Sequence, residues 1–419
     1  MTKGNSSTAW RMVALSFIAQ NFAIGISFGS LGPILVYLEH ASQVSRSMSS
    51  LGSAILTVTM ALAAPAVGFW LRKHSSRSVM MTGAILSCVG YLILSRISDV
   101  LEFAVIFGVL IGAGNTMLAA VTPSTLISRW FDVKSRGRAL GIMSLPVFLL
   151  FTPVICTRAI AVVGITPWFI AVGLSFGLLA VLMLAIVDPP QAADAEVTAV
   201  GASQTGPSKR SKVPFKDARF WILTLCAAQM TATTYVFLTH AVPFAVNVGI
   251  ADIRAGLLVS TFALSGIAGN LIVGPAADKF GPVRMVAVST GVQAIAWAGL
   301  TVTTSFELLL ALSAILGFLS TSTTPLHCNA LSVLFGSDSV GPALGAGYIV
   351  KLPFMFGYLV LAAHLFDVTG AYVMPFEIMC GALAAACLGA VAIFVMSRRQ
   401  GTQHGSRAPV GRAISDPSI

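Results

Sequence analysis

The sequence has very little charge for its length. Only 10% of its 419 residues are Asp, Glu, Lys or Arg, and 56% are hydrophobic, whereas soluble domains average about 25% charged residues. Such a chain cannot cover a water-facing surface of this size with polar groups. The shortage of charge excludes an ordinary soluble enzyme and indicates an integral membrane protein.

Cysteine is scarce as well, and no sequence pattern is typical of an enzyme site. The six cysteines match neither the spacing of a zinc site nor a disulfide framework, so we interpret them as small packing residues. The sequence shows no phosphate-binding loop and no nucleophile with a suitably spaced base. The glycines of "GVLIGAGN", residues 108–115, lie in an apolar run and favour close helix packing. We predict no enzyme activity, no metal and no cofactor.

Long apolar runs are abundant. A membrane-crossing helix needs about 20 apolar residues. We place such runs at 11–37, 48–71, 78–95, 101–128, 137–163, 166–187, 219–246, 254–277, 283–303, 306–333, 341–366 and 372–396. The first run is longer than the core of a cleaved signal peptide and more runs follow, so it is counted as the first helix. The sequence therefore predicts an all-α membrane protein with twelve transmembrane helices.

One polar segment divides these runs six and six. Residues 188–217, "DPPQAADAEVTAVGASQTGPSKRSKVPFKD", are rich in Pro, Ala, Gly and Ser, which is typical of a flexible linker. We predict a six-helix bundle at 1–187, a cytoplasmic linker at 188–217, a second six-helix bundle at 218–397 and a disordered cytoplasmic tail at 398–419.

The basic residues indicate an orientation. The net charge is +10, and with both termini in the cytoplasm 20 of the 25 Lys and Arg residues fall in the termini and cytoplasmic loops. The exceptions are Arg46, Arg96, Arg158, Arg254 and Lys351. This is the positive-inside bias, so the basic excess reflects topology in membrane lipid and not a nucleic-acid partner. Short loops suit a bacterial inner membrane.

A weak internal repeat relates the two halves. Four positions match at one offset between the loops that follow the fourth and the tenth helix: Phe131 with Phe335, Gly137 with Gly341, Ala139 with Ala343 and Gly141 with Gly345. A repeat of this kind predicts two pseudo-symmetric bundles with a substrate site between them, near the midplane of the membrane.

The loop after the eighth helix, "GPAADKFGPVR", resembles a signature of the major facilitator superfamily. The matching residues are Gly274, Asp278, Lys279, Gly281 and Arg284. The resemblance implies the major facilitator fold, a transport function, and a loop that latches the cytoplasmic side. In the first-half copy, "GFWLRKHSSRS", Arg72 replaces the acid and Ser75 replaces the second glycine, which puts the first-half latch in doubt.

A closer resemblance is to the monocarboxylate and oxalate/formate porters. "SRWFDVKSRGRALGI", with Arg129 and Arg136, is similar to their loop between helices four and five, and we count both arginines as gating or loop residues. Lys351 stands where the oxalate/formate type carries a lysine in its eleventh helix. Asn270 stands where many members carry an arginine. One cation instead of two favours a monocarboxylate over a dicarboxylate.

Lys351 is the main candidate for substrate binding. It lies in "YIVKLPF", near the centre of the eleventh predicted helix, where a lysine costs about 2.5–3.5 kcal/mol on insertion scales. No acid within the core of its own helix can pair with it. A substrate carboxylate would supply the missing counter-charge. The alternative is a structural lysine that pairs with a carbonyl group or water.

Other polar residues at similar depth are candidates for the rest of the substrate. They are Tyr235, Asn115, Asn21, Asn270, Tyr348 and Gln229. Their amide and hydroxyl groups suit a substrate oxygen, but they equally suit another helix, at about 0.6 kcal/mol per hydrogen bond. The polar stretch "STSTTPLHCN", residues 320–329, indicates either a bending gate in the tenth helix or packing by small residues.

Proton coupling requires a titratable group, and no carboxylate lies near the predicted membrane centre. Histidine titrates in the useful range. We prefer His240 over His327 and His364, because the seventh helix of the superfamily lines the cavity. Lys351 is the second candidate, because its charge would follow the presence of the anion.

The sequence therefore favours a secondary transporter of a small organic anion, a monocarboxylate, by alternating access with proton-coupled uptake. The alternative is a proton-coupled exporter of hydrophobic drugs or secondary metabolites. Helix five lacks that group's glycine run after Gly141, and helix four has no basic residue before Arg129. A membrane receptor without flux is a third interpretation, which a flux measurement would separate.

Overall fold

The computed structural model describes residues 3–71, 73–119, 121–131, 133–189, 214–336 and 340–405, and the regular elements of this part of the chain are helices. Twelve helices are long and apolar enough to cross a membrane. We number them α1 to α12: Ser7–Ser42, Arg46–Trp70, Ser76–Leu94, Val100–Trp130, Arg138–Val163, Ile165–Ala185, Ala218–Asn247, Asp252–Phe280, Pro282–Val302, Phe306–Phe335, Ala346–Thr369 and Val373–Met396. The predicted fold class, with twelve transmembrane helices, is confirmed.

Several helices begin with a side-chain cap that the sequence supplies. Ser45 before α2 accepts a hydrogen bond from the backbone of Met48, and Ser75 before α3 accepts one from Ser78. Asp217 caps α7 in the same way and pairs with Arg219, whose hydrogen bonds lower the pKa of the Asp217 carboxyl. These caps satisfy amide groups that have no partner inside the helix.

Two helices contain a π-helical turn. In α1 the turn covers Asn21–Ile26, and in α4 it covers Phe107–Ile111. A π turn adds a residue and leaves the local backbone pairing irregular, and such turns are frequent at functional sites. The turn in α1 positions Asn21 opposite the start of the long segment of α5.

Three helices are interrupted. In α4 the break is at Ala119, and in α5 it lies between Met143 and Val147. In α10 it lies between Ser320 and Thr323, inside the stretch for which the sequence indicated a bend or small-residue packing. The helices α4 and α10 occupy equivalent places in the two halves. Each therefore ends in a short, separately oriented segment.

The two halves meet mainly through the helix pairs α1–α7, α2–α11 and α5–α8. A Cβ atom on Gly32 of α1 would lie 2.7 Å from the Cβ of Val242 in α7, so these backbones approach closely. Gly256 of α8 lies similarly against Pro153 of α5. These contacts lie toward the end of the bundle that carries residues 43–45, 248–251 and 370–372, which we name the closed end.

The predicted linker and tail are only partly described. Of the linker, residues 190–213 lie outside the described residues, as does the tail from residue 406 onward. The helix that contains α12 runs from Val373 to Gly405. The helix therefore extends into the basic segment, and the division of the chain into two bundles, a linker and a tail stays a prediction.

Candidate functional site

Lys351 lies on the buried face of α11. Buried residues of this helix recur at every fourth position: Gly347, Lys351, Met355, Leu359 and Ala363. Residues four apart share one side of a helix, so the lysine belongs to the stripe that packs inward. Its side chain is only 2% exposed. The sequence places a cation in the interior of the C-terminal half.

The surroundings of Lys351 hold no counter-charge in the part of the chain that the structure describes. Its Nζ lies 5.0 Å from the centroid of the Tyr348 ring, which gives a cation–π contact. His327 and Cys328 of α10 are within electrostatic reach. Among the described side chains Lys351 makes neither a hydrogen bond nor an ion pair. A buried cation without a partner is costly, so the site favours an anionic ligand.

Of the predicted aromatic residues, Tyr348 lies next to this cation and Tyr235 lies farther along, toward the N-terminal half. Tyr348 is 47% exposed although it stands one turn from the buried Lys351 on the same side of α11, so it borders open space. Tyr235 of α7 is within electrostatic reach of Tyr348, and its ring lies 5.3 Å from that of Phe28 in α1. The structure therefore brings Tyr348 to Lys351, and the Tyr235 ring connects α7 to α1 of the N-terminal half.

Asn21 is engaged by the protein's own backbone. Its amide nitrogen donates to the carbonyl oxygens of Phe17 and Leu145, at 3.0 Å each. Its amide oxygen accepts from the backbone nitrogen of Phe148 at 2.8 Å. These bonds join the π turn of α1 to the break in α5. The structure gives Asn21 a bracing role, and a substrate contact by this residue stays a prediction.

Asn115 lies in a polar chain inside the N-terminal half. Its Oδ1 accepts from the Ser27 hydroxyl at 3.4 Å, and Ser27 accepts from the Tyr91 hydroxyl at 3.2 Å. Asn115 is 0% exposed, and its Nδ2 has no hydrogen-bond partner within the described ranges. Both N–H donors of this amide therefore remain free among the described residues, and their use by a substrate is still a prediction.

Asn270 and Gln229 bond to neighbouring helices of the C-terminal half. The Oδ1 of Asn270 accepts from the Ser322 hydroxyl at 3.4 Å, beside the break in α10. The Oε1 of Gln229 accepts from the Tyr358 hydroxyl at 2.5 Å. Both amides are partly buried. Gln229 lies on α7, which packs against the helix of Lys351, whereas Asn270 lies on α8, beside α10. Their contact with substrate stays a prediction.

Sequence reasoning missed a group of residues that joins the two halves at the closed end. We name Glu39, Arg46, His240, Asp367 and Tyr372 the closure cluster. The Nε of Arg46 donates to Glu39 at 2.7 Å, and its Nη2 donates to the other oxygen of that carboxylate. Its Nη1 donates to the Tyr372 hydroxyl at 2.8 Å. A forked arginine–carboxylate pair of this kind holds its geometry firmly.

Asp367 adds a second connection within the closure cluster. Its carboxylate oxygens accept from the backbone nitrogens of Arg46 and Ser47 at 2.7 and 2.8 Å. An acid of α11 in the C-terminal half thus caps the first turn of α2 in the N-terminal half. Both the hydrogen bonds and the helix dipole favour this placement. The only sign of this cluster in the sequence was Arg46, a basic residue that does not follow the positive-inside bias.

His240, the predicted proton-coupling residue, belongs to the closure cluster. It is fully buried, and its Nδ1 lies 3.1 Å from the Tyr372 hydroxyl oxygen. The same oxygen accepts from Arg46, so its own proton is available to His240. The Tyr372 hydroxyl therefore connects His240 to Arg46 of the other half. The residue is therefore placed to act on the contact between the halves.

The predicted loop residues of the second half lie at the end opposite the closure cluster. Asp278 accepts from Asn329 of α10 at 2.8 Å. Gly281 has a φ of +92°, a conformation that side chains disfavour. Lys279 lies 5.5 Å from the Phe280 ring centroid, and Arg284 lies 4.5 Å from that of Phe394. These contacts join α8, α9, α10 and α12.

In the first half, Asp188 supplies an acid that the decayed loop copy lacks. Arg129 pairs with Asp188 at 3.4 Å, and Asp188 also accepts from the Ser76 hydroxyl at 2.6 Å. This cluster joins the ends of α4 and α6 to the start of α3. Arg136 lies outside the described side chains. The part of the chain that is described contains no group of three or more His, Cys, Asp or Glu residues able to hold a metal ion.

This chain is similar to known proteins in sequence and in fold. A family model described as Major Facilitator Superfamily matches residues 17–251 and 230–417. Among solved structures, a bacterial homolog to the human lysosomal transporter Spinster, in an inward-facing and occupied conformation, superposes with a TM-score of 0.68. The superposition covers 95% of this chain and 98% of that one, at 15% identity. At this level of sequence identity, the superposition shows that the two proteins share a fold and nothing more.

Curated relatives are similar over different lengths. An uncharacterized MFS-type transporter, YcxA of Bacillus subtilis, is 32% identical over 32% of this chain and only 33% of that relative. Monocarboxylate transporter 13 of Rattus norvegicus is 26% identical over 88% of this chain and 85% of its own length. Monocarboxylate transporter 11 of Homo sapiens is 27% identical over 64% of this chain and 56% of its own length.

Proposed function

The chain belongs to the Major Facilitator Superfamily, and from this premise we propose that it carries a small organic anion, a monocarboxylate, by alternating access. It is an integral multi-pass membrane protein and not an enzyme. The observation that carries the proposal is Lys351, a cation that is 2% exposed and has no ion-pair partner in the described part of the chain.

The single charge of the site selects the substrate class. A carboxylate that meets Lys351 gains a full Coulomb interaction in a low-dielectric setting, and it also removes the free-energy cost of the unpaired cation. Asn270 is neutral and already bonded to Ser322, so it supplies no second positive charge for a dicarboxylate. Monocarboxylate transporters 13 and 11 are similar to most of this chain, which supports the same substrate class.

The remaining predicted substrate residues would surround the rest of the molecule. Tyr348 presents its ring beside Lys351, and Tyr235 of α7 would contact the substrate on the side of the N-terminal half. Asn21, Asn270 and Gln229 would contact the substrate only after a change of conformation released their amides from the bonds they make here. The amide nitrogen of Asn115 needs no such release. The exposed Tyr348 ring suits a substrate whose carboxylate is attached to an apolar or planar body.

The transport cycle requires the two halves to separate at the closed end. We place this end outside and both termini in the cytoplasm of a bacterial inner membrane, as the basic residues favour. Breaking the closure cluster would then admit substrate from outside. We assign proton coupling to the uptake step, with Lys351 at the anion site and His240 at the closure cluster as its predicted groups. In this arrangement the outer faces of the helices contact membrane lipid.

The first test is thermal stabilisation of the purified protein by acetate, lactate, pyruvate and benzoate. A ligand that binds the native state raises the melting temperature by mass action. We expect at least one carboxylate to stabilise the wild type and to lose its effect in Lys351→Met. The matched control is Lys216→Met, which removes an exposed lysine outside the helices and should keep the stabilisation.

Flux in proteoliposomes completes this test. The stabilising carboxylate should accumulate inside vesicles in response to a proton gradient, and Lys351→Met should abolish that uptake. Stabilisation by hydrophobic cations, with no response to any carboxylate, would instead favour the drug-exporter interpretation. Binding without flux would favour the receptor interpretation.

A further inference from the structure

We propose that His327 shares the anion site with Lys351 and takes up a proton when the carboxylate binds, so that one proton travels with each anion. This inference rests on the proposed anion transport and assigns the proton to His327 in place of His240, the residue that the sequence favours. Neither the family match nor the named relatives assign a role to His327.

His327 is buried without any hydrogen bond in the described structure. Its side chain is 1% exposed, and both Nδ1 and Nε2 lack a partner among the described residues. A buried imidazole has one donor and one acceptor to satisfy, and each unsatisfied group costs about 1–3 kcal/mol. His240 differs, because its Nδ1 has a partner in the closure cluster. The two ring nitrogens of His327 are therefore available to form hydrogen bonds with a ligand.

The side chain lies directly beside the turn that carries Lys351. Its Cε1 is 3.6 Å from the place where a Cβ on Gly347 would stand, and Gly347 is one helical turn before Lys351. Thr224 of α7 lies against the same glycine at 3.4 Å, and its buried hydroxyl also has no partner in the described ranges. Unsatisfied polar groups from α7 and α10 thus converge on α11 next to the cation.

Charge explains why the proton and the anion would arrive together. With the site empty, Lys351 is the cation within reach of His327, and a second positive charge beside it in a low-dielectric interior is unfavourable. A bound carboxylate cancels the charge of Lys351, and the imidazole can then accept a proton and donate to the anion. The site carries one net positive charge both empty and loaded. The loaded and empty transporter would therefore respond alike to the membrane potential.

The other titratable groups around His327 do not offer the same role. Cys328 directly follows His327 in α10, and Tyr348 of α11 is in cation–π contact with Lys351. On α8, Asp278 is engaged by Asn329. On α7, Asp217 and Arg219 pair with each other at the helix start. Among these groups, an imidazole has the ordinary pKa that lies closest to neutral pH.

The fold provides a means of access to this buried pair. His327 stands in the segment Thr323–Phe335, which begins after the break in α10 and packs against α7 and α11. Pro325 in the first turn of this segment has no amide hydrogen to donate. A rotation of the short segment about the break would expose both ring nitrogens to the space that Tyr348 borders.

The experiment counts protons during binding. The carboxylate with the largest thermal shift among acetate, lactate, pyruvate and benzoate is titrated calorimetrically into purified protein, in two buffers that differ in ionisation enthalpy. We expect the wild type to take up about one proton per carboxylate near neutral pH, and His327→Gln to bind the same carboxylate with almost no proton uptake. Because neither nitrogen has a partner in the described structure, the substitution removes no protein hydrogen bond there.

Two further histidine variants make the outcome decisive. His364→Gln removes an exposed imidazole of α11 and should keep the proton uptake of the wild type. If His327→Gln still takes up a proton, or if His240→Gln loses it instead, the role of His327 is wrong. A carboxylate that binds through Lys351 without proton uptake in the wild type overturns this inference alone. Failure of every carboxylate to bind overturns the anion-transport proposal with it.

Discussion

Polar side chains in the interior of this protein fall into two groups according to their hydrogen bonds. Asn21 has both ends of its amide bonded to backbone, whereas Lys351 and His327 have no hydrogen-bond partner among the residues described. Buried polar groups are normally satisfied. Side chains with partners therefore stabilise the fold. Side chains without partners are the places where a bound ligand would lower the free energy of the protein most.

The bracing role of Asn21 predicts a loss of stability in Asn21→Leu. Three hydrogen bonds at about 0.6 kcal/mol each in a membrane protein amount to about 2 kcal/mol, and the melting temperature should fall accordingly. Asn247→Leu is the matched control, because Asn247 is exposed at the closed end and makes no side-chain hydrogen bond in the described part. Unchanged stability with an altered substrate preference would contradict the bracing role and restore the substrate role that the sequence suggested.

At the residue scale, the sequence could identify Lys351 because a lysine inside an apolar run is visible without any structure. The sequence could not show that Asn21 and Lys351 differ in their hydrogen bonds, so both were predicted to contact the substrate. The partners of Asn21 are backbone groups of Leu145 and Phe148, more than a hundred positions away. The free ring nitrogens of His327 were equally invisible, so the sequence ranked this residue below His240.

At the scale of helices, the first turn of α2 is capped by a residue of the other half. Asp367 accepts from two backbone amides of α2, so a bond that normally stabilises one helix here also holds two bundles together. The closure cluster combines residues of α1, α2, α7 and α11 with the residue before α12. No local pattern in the sequence connects these positions, and for that reason the cluster was missed.

Removal of this cap should open the closed end. We expect Asp367→Ala to increase the rate at which a membrane-impermeant maleimide labels a cysteine at position 242, in a background without the native cysteines. Val242 is 1% exposed beneath the cluster. Asp99→Ala is the matched control, since Asp99 caps α4 at the same end within one half. Loss of either cap costs about 1 kcal/mol. Equal labelling rates in both variants would show that the Asp367 cap does not hold the halves together.

At the scale of the whole molecule, the pattern of apolar runs was sufficient to predict twelve helices. Each of these runs must satisfy its backbone within one helix in a membrane. The relative position of the halves was not predictable, because it depends on a few close contacts between helices. Gly32 is such a contact: a Cβ there would lie 2.7 and 2.8 Å from the Cβ and Cγ2 of Val242. Val242 is β-branched and cannot rotate away easily.

Gly32→Ala should therefore shift the whole molecule toward a state that is open at the closed end. The added methyl group meets Val242, and separation of α1 from α7 relieves the clash. Spin labels at the exposed positions 41 and 251, one in each half, would report a longer distance by electron–electron double resonance. Gly357→Ala is the control, because nothing lies within 4 Å of a Cβ on that glycine of α11. If the distance stays the same in Gly32→Ala, α1 and α7 adjust locally, and the closure cluster alone sets the spacing of the halves.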